Sequence, residues 1–294
     1  AALIMGVLGF LFFIYMIKNI TIRVDEQTVK IEEGNKGPKV NIFKSFATFM
    51  KNRAAVGATL AAMAMFLGMN SASTATTIMF ATHFGAANLS GIVSVIGFLP
   101  MFFFMPFVNK LVAKYGKKEV ASIGALASVA GGLLMFIFPL ISNKMVAMVM
   151  YIVALAIFGF GMGFYTCVSW AMMADAIDYN EWKTGSRDEG TVYSLHSFFR
   201  KLAQGVGPSM VLLIMGWLGY VSEKGTVGQT PETAMNMCWL VAGLYLFSAV
   251  LMFIGIAFIY NLDKKSVDKM TADLGVRNNV NLAETAEAVD APVT

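Results

Sequence analysis

Ala174-Asp-Ala-Ile-Asp-Tyr-Asn-Glu-Trp-Lys-Thr-Gly-Ser-Arg-Asp-Glu-Gly190 is a block of charge wedged between two long apolar runs, 146–173 and 191–220. Asp175, Asp178, Glu181, Lys183, Arg187, Asp188 and Glu189 fall inside it. Just beyond, Arg200 and Lys201 interrupt a run that otherwise reads as membrane-spanning. A charge at the centre of a span costs about 2.5–3.5 kcal/mol on insertion scales. A chain that keeps two adjacent cations there has a use for them, and the use most often met is moving a solute.

Working outward from this block, seven apolar segments emerge: 1–17, 54–82, 89–112, 120–141, 146–173, 191–220 and 234–260. Several reach the roughly 20 residues that a span needs. In lipid every backbone N–H and C=O must be satisfied within the segment or in a closed barrel. These runs are too long and too evenly apolar for barrel strands of about ten alternating residues, so they are expected to be helices.

Composition agrees. Of 294 residues, 57% are hydrophobic and only 14% charged, too few to clothe a soluble domain. The 24 Phe and 22 Met suit lipid-facing and adaptable packing surfaces. The net charge of +4 is not a nucleic-acid signal, because the basic residues cluster in particular loops. Cys167 and Cys238 both lie in apolar runs, which implies neither a disulfide framework nor a metal site. The chain opens directly in an apolar run, without the basic flank and cleavage site of a signal peptide. It reads as the end of a span whose start lies outside this sequence.

The loops orient the bundle. The first carries Lys18, Arg23, Lys30, Lys36, Lys39, Lys44, Lys51 and Arg53, and the second, 83–88, has no Lys or Arg. The third holds Lys110, Lys114, Lys117 and Lys118, and the fourth only Lys144. Lys183 and Arg187 follow in the fifth, Lys224 alone in the sixth, and four basic residues in the tail. Rich and poor loops alternate, so the rich ones are expected to be cytoplasmic, with the carboxyl terminus inside and the chain in the cytoplasmic (inner) membrane. The polar linker 21–50 leaves room for a helix along the membrane surface. The end, 281–294, has a disordered composition.

Within 191–220, Tyr193, Ser197, Lys201 and Gln204 recur at helical spacing on one face, with His196 and Arg200 in a second row beside it. A polar face on a membrane helix must look into protein or water. Hydroxyls, an imidazole and cations suit a polyhydroxylated or anionic solute. The competing reading is snorkelling to the interface. Gly205, Gly207 and Pro208 then predict a kink, or close packing on a neighbour. Trp170 is either a ring for stacking on a sugar or an interfacial anchor. Asn70 is the best solute contact in 54–82, since its Ser and Thr neighbours can bond back to their own helix.

Asp175, Asp178 and Glu181 recur every three residues. With Arg187 they read as a salt-bridged gate rather than a metal site, because no ligand-spaced His or Cys accompanies them. A plain solvated loop competes for Asp188 and Glu189. No phosphate-cradling loop, nucleophile elbow or zinc motif is present, so no catalytic residue, metal ligand or cofactor is expected and the chain does not read as an enzyme.

The block 174–190, followed by Tyr193-Ser194 and Lys201, resembles the glycoside–pentoside–hexuronide:cation symporters, the melibiose permease-like branch of the major facilitator superfamily. The segment 108–118 is similar to a worn version of the basic loop that facilitators carry between their eighth and ninth helices. The resemblance implies an all-α integral membrane protein of the major facilitator fold: a carboxyl-terminal six-helix bundle plus the end of the preceding helix. The divisions would be 1–18, the end of helix six; 19–53, the cytoplasmic middle loop; 54–260, helices seven to twelve; and 261–294, a cytoplasmic tail. It implies cation-coupled symport of a sugar or glycoside by alternating access. A facilitator of another solute, such as a lysolipid, drug or organic anion, is the alternative.

By that resemblance Lys201 is the functional lysine of the eleventh helix, and Asp175, Asp178, Glu181 and Arg187 are the cytoplasmic charge network. His196 and Ser197 stand at polar sugar-side positions; Tyr193, Arg200, Trp170 and Asn70 are the further substrate contacts that the polar faces themselves suggest. The partners would be the lipid bilayer, a small sugar or glycoside, and an amino-terminal bundle outside this sequence. That bundle would hold most of the site for a coupling Na+ or H+.

Overall fold

The apolar runs close their own backbone bonds. The computed structural model describes residues 2–20, 42–185, 187–226 and 228–276, and among them every long element is a helix and none is a strand. The chain divides into two units, 1–41 and 42–294. In the first, α1 spans Ala2–Asn19.

The second unit is a helical bundle. It comprises α2 (Ile42–Lys51), α3 (Arg53–Met79), α4 (Leu89–Tyr115), α5 (Lys117–Leu134), α6 (Lys144–Thr184), α7 (Glu189–Trp217) and α8 (Pro231–Ile254). Single π-helical stretches, Phe80–Phe84 and Gly255–Ile259, extend α3 and α8. Side chains cap the helices at the expected points. Asn52, Asn143, Asp188 and Thr230 each accept a bond from a first-turn N–H, which satisfies groups no helix can satisfy for itself. Gly185 stops α6 at φ 75°, its N–H bonding Glu181 O at 2.8 Å.

Four stretches are long and apolar enough to cross a membrane: Arg53–Phe84, Lys117–Leu140, Lys144–Thr184 and Pro231–Ile259. α4 makes a fifth if its two halves, bent by 48°, count as one span. Pro100 and Pro106 lie in α4, and each removes a backbone bond. α7 has the length, 29 residues, but its polar rows keep it from meeting the same standard. The seven apolar segments therefore all fold as helices, while the described residues supply four or five spans by length and composition. α7 runs without a break through Gly205–Pro208, with Pro208 inside it. Gly207 is buried there against Ser71 and Leu67 of α3, so close packing is the reason for that glycine.

α3 and α6 organise the bundle. α3 packs on α6, α7 and α8, and α6 packs on α4 and α5. α3 presents a stripe of small residues, including Ala54, Ala58, Ala61, Gly68, Ala72 and Ala75. Small faces let helix backbones approach without the hydrophobic drive that water would supply. At Gly57 a Cβ would lie 2.5 Å from Tyr260 N, and at Gly159 it would collide with the Gly97 carbonyl of α4.

α6 runs 41 residues, about 60 Å at roughly 1.5 Å per residue, twice the thickness of a hydrocarbon core. Its charged end, from Asp175 on, therefore projects beyond the core. Two shorter helices sit outside the long ones. α2 anchors Phe49 beside Phe199 of α7, centroids 6.4 Å apart. A ninth helix, 264–276, falls within what the sequence presents as a polar tail. Met270 and Leu274 bury its inner face. Asp263 caps it through Ser266, and those bonds hold the Asp263 carboxyl below its ordinary range. Lys264 Nζ donates to the carbonyls of Ala113 at 2.6 Å and Lys114 at 3.1 Å, capping α4. The linker 21–41 and the end 281–294 lie outside the described residues.

Candidate functional site

α7 divides its surface three ways. A buried stripe, including His196, Ala203, Gly207 and Val211, packs toward α3. Phe198, Leu202, Val206 and Leu213 form an exposed apolar side that suits lipid. Tyr193, Ser197, Lys201 and Gln204 form another side, with Tyr193 and Lys201 exposed and the other two half-buried. Lys201 has no ion-pair partner among the described residues and lines neither cavity described below.

Arg200 sits between the polar side and the buried stripe. Its guanidinium lies 4.8 Å from the Trp170 ring and 5.5 Å from the Phe66 ring. Cation–π contacts that keep access to water contribute about 0.5–1 kcal/mol. Trp170 also stacks on Tyr193 at 6.2 Å and meets the His196 ring edge-on at 6.3 Å. Trp170 thus touches Tyr193, His196 and Arg200 together. His196 is buried, with Nδ1 2.9 Å from Thr59 Oγ1. That contact fixes the ring and, once the tautomer is set, one nitrogen's role.

These groups enclose a cavity of about 160 Å³, lined by Thr166, Ser169, Trp170, His196 and Arg200, with Met65, Phe66 and Tyr165. A second cavity of about 420 Å³ adjoins it, sharing Met65, Phe66 and Thr166. That volume falls in the range of small-molecule sites, about 300–1,000 Å³. Asn70, Ser73, Ser94, Thr166 and Tyr245 supply its polar lining among apolar walls. Asn70 therefore lies in the larger chamber while Arg200, His196 and Trp170 line the smaller. Thr74 and Thr77 instead bond their own helix carbonyls at 3.1 Å each. Neither cavity has an aspartate or glutamate among its described lining residues.

The acids of α6 part company. Arg187 Nη1 lies 2.8 Å from both Asp178 Oδ1 and Glu181 Oε2, and its Nε lies 3.4 Å from Glu189. Hydrogen bonds to Glu181 and then Asp178 hold the guanidinium above its ordinary pKa. Asp175 does not join them. It bonds Lys117 Nζ at 2.6 Å, from the start of α5, and its Oδ2 is buried without a partner. Among the described residues no group of three His, Cys, Asp or Glu is placed to hold a metal ion.

Sequence reasoning missed Phe66, Thr59 and Lys117. Phe66 had a signal, since it lies one turn before Asn70 on the same face. Lys117 lay in the basic loop already noted. Nothing local marks Thr59.

An all-α chain with several membrane-length apolar helices and a hollow of small-molecule size has the architecture of a membrane transporter. More narrowly, the chain belongs to the family described as MFS/sugar transport protein, which matches residues 1–264. This agrees with the glycoside–pentoside–hexuronide:cation symporter resemblance carried by the charge block. The glucuronide carrier protein homolog of Escherichia coli (strain K12) is 33% identical over 175 residues, 60% of this chain and 36% of that protein. The uncharacterized symporter YnaJ of Bacillus subtilis (strain 168) is 30% identical over 282 residues, 95% of this chain and 57% of that one. The isoprimeverose transporter of Lactiplantibacillus pentosus is 37% identical over 116 residues, 39% of this chain and 23% of that one. These relatives are transporters, not enzymes. The chain spans about half the length of the curated relatives that it matches most extensively.

Proposed function

We propose that the whole protein is a cation-coupled symporter of a sugar or glycoside, working by alternating access in the cytoplasmic membrane. The observation that carries this is a pair of adjoining cavities, mainly apolar with a few polar groups from α3, α4, α6 and α8, and with Arg200 of α7 at the smaller one, in a family of sugar carriers. In this reading 1–18 is the end of helix six, 54–260 is helices seven to twelve, and an amino-terminal bundle forms the opposite wall. Solute binds near midplane between the two halves. Trp170, Tyr193, His196, Ser197, Arg200 and Asn70 line the carboxyl-terminal wall. Lys201, exposed on the polar side of α7, joins them as a substrate contact. The Arg187 cluster helps close the cytoplasmic side, where the carboxyl terminus lies.

One cation crossing 100 mV contributes about 2.3 kcal/mol, enough for a roughly 40–50-fold solute gradient. The relatives named for a glucuronide and for isoprimeverose support a glycoside as cargo. Accumulation of a labelled glycoside panel in cells, with and without Na+ or a proton gradient, tests the reading. One glycoside should accumulate against its gradient, and Lys201→Ala should abolish accumulation while leaving the protein in the membrane. Normal accumulation by that variant removes Lys201 from the site. No glycoside uptake at all, with uptake of another solute, removes the sugar.

A further inference from the structure

The larger cavity is built of the wrong material for a sugar ring. It holds about 420 Å³ between α3, α4, α6 and α8. Met65, Met69, Met101, Met162, Leu155 and Phe158 make much of its wall. Its polar groups are largely spent on the protein itself. Ser94 Oγ donates to Ser90 O at 2.8 Å, and Thr166 Oγ1 donates to Met162 O at 2.9 Å, each within its own helix. The Tyr245 hydroxyl is hydrogen-bonded with Tyr151 and Thr76, whose own oxygens lie 3.0 Å apart behind the wall. Among the described residues, only Asn70 and Ser73 of this polar lining keep side chains without such a bond. Both stand on α3, and Ser73 is exposed, so the pair marks the rim.

A sugar ring carries a hydroxyl on most of its carbons, and each needs a partner once water is removed. A chamber whose hydroxyl protons are already committed supplies few. An apolar group needs no partner there and gains by leaving water. A dry cavity of roughly 150 Å³ is enough for benzene, so this one has room for a substituted ring or a short alkyl chain. Four thioether side chains let the wall adapt to different shapes. The polar groups gather next door. Ser169, Trp170, His196 and Arg200 line the smaller cavity, which shares Met65, Phe66 and Thr166 with the larger.

We propose that the larger cavity seats an apolar aglycone. The sugar ring of the cargo lies outside it, toward the smaller cavity and α7, and an alkyl or aryl group on the anomeric oxygen enters past Asn70 and Ser73. The inference rests on the sugar-transport reading; it adds where the non-sugar part of the cargo goes and what chemistry that part has.

The test uses the full-length protein in energised membrane vesicles. The probes are the methyl, n-butyl and phenyl β-glycosides of glucose, galactose, xylose and glucuronic acid. For whichever sugar is taken, affinity should rise about two- to fourfold per CH2 from methyl to n-butyl, the gain for burying a methylene. The phenyl glycoside should also bind more tightly than the methyl one. Ser94→Leu puts a branched side chain into the chamber and should flatten the series, bringing the butyl and phenyl glycosides down to the methyl one. If that variant does not reach the membrane, Ser94→Cys in a chain with Cys167→Ala and Cys238→Ala supplies a second reading. Saturating phenyl glycoside should slow its alkylation by N-ethylmaleimide more than saturating methyl glycoside does.

Equal affinities along the wild-type series, or affinities that fall as the group grows, would overturn the inference and assign the chamber to packing against the opposite bundle. So would a gain along the series that Ser94→Leu leaves intact, or equal protection of Ser94→Cys by the two glycosides. Sugar transport would stand in each of those cases. Uptake of no glycoside at all overturns that reading and this inference with it.

Discussion

Lys117 Nζ lies 2.6 Å from Asp175 Oδ1, which pins the first turn of α5 to the charged end of α6. The acid is the more deeply placed partner, its side chain 8% exposed against 29% for the lysine. The second carboxylate oxygen is buried without a bond. Removing the lysine should therefore hurt more than removing both groups. Lys117→Ala is expected to cost about 1–3 kcal/mol, and Lys117→Ala with Asp175→Asn should regain part of it. Thermal unfolding of the detergent-purified protein measures both, and equal stability of the single and double variants would count against a buried, dependent carboxylate.

Arg187 is the opposite case. Its side chain is 51% exposed, and exposed pairs contribute about 0–1 kcal/mol each. Arg187→Ala should leave thermal stability nearly unchanged. If the cluster is a gate, the variant should slow exchange of internal for external solute more than it weakens solute binding. Wild-type exchange rates would reduce the cluster to a solvated loop.

Thr59 and His196 meet at 2.9 Å across the α3–α7 contact. Thr59→Val keeps the shape and removes the hydroxyl, which leaves a buried ring nitrogen unpaired at a cost of about 1–3 kcal/mol. Solute affinity should fall with stability, and Thr59→Ser should restore both. Binding by isothermal titration beside a melting curve would show it. An intact affinity in Thr59→Val would mean that His196 needs no such support.

Two glycines give contrasting expectations. Gly159 abuts the backbone of Gly97, whereas open space surrounds the position a Cβ would take at Gly205. Gly159→Ala should force α4 and α6 apart and lower the yield of folded protein, with a loss of about 1–3 kcal/mol. Gly205→Ala should be neutral or stabilising by about 0.5–1 kcal/mol. Size-exclusion profiles and melting temperatures read out both.

Much of this was legible without coordinates. The apolar runs announced helices because a backbone in lipid must bond to itself, and run length alone then separates helix from strand. The polar rows of α7 followed from helical spacing, and the charge block carried the family. The helix 264–276 was not legible, because its apolar contacts, Met270 and Leu274, are few and its partners lie far away in the chain. Between a kink and close packing at Gly205–Pro208 the sequence alone did not choose, for a related reason. Proline removes one bond, but whether the helix bends depends on what packs beside it, and there Gly207 lies against Ser71.

The order of helices, their class and the presence of charge within an apolar run were settled by the sequence, since each follows from the local rule that buried backbone and buried charge need partners. Which partner each charge found was settled only by the fold. Asp175 and Lys117 are 58 residues apart in the chain, and the three acids share one spacing, so no local pattern could separate the one that bonds α5 from the two that bond Arg187. Likewise the rings that hold Arg200 come from two different helices, α3 and α6. Spacing along one helix shows what shares a face; only the packing of several shows what that face meets.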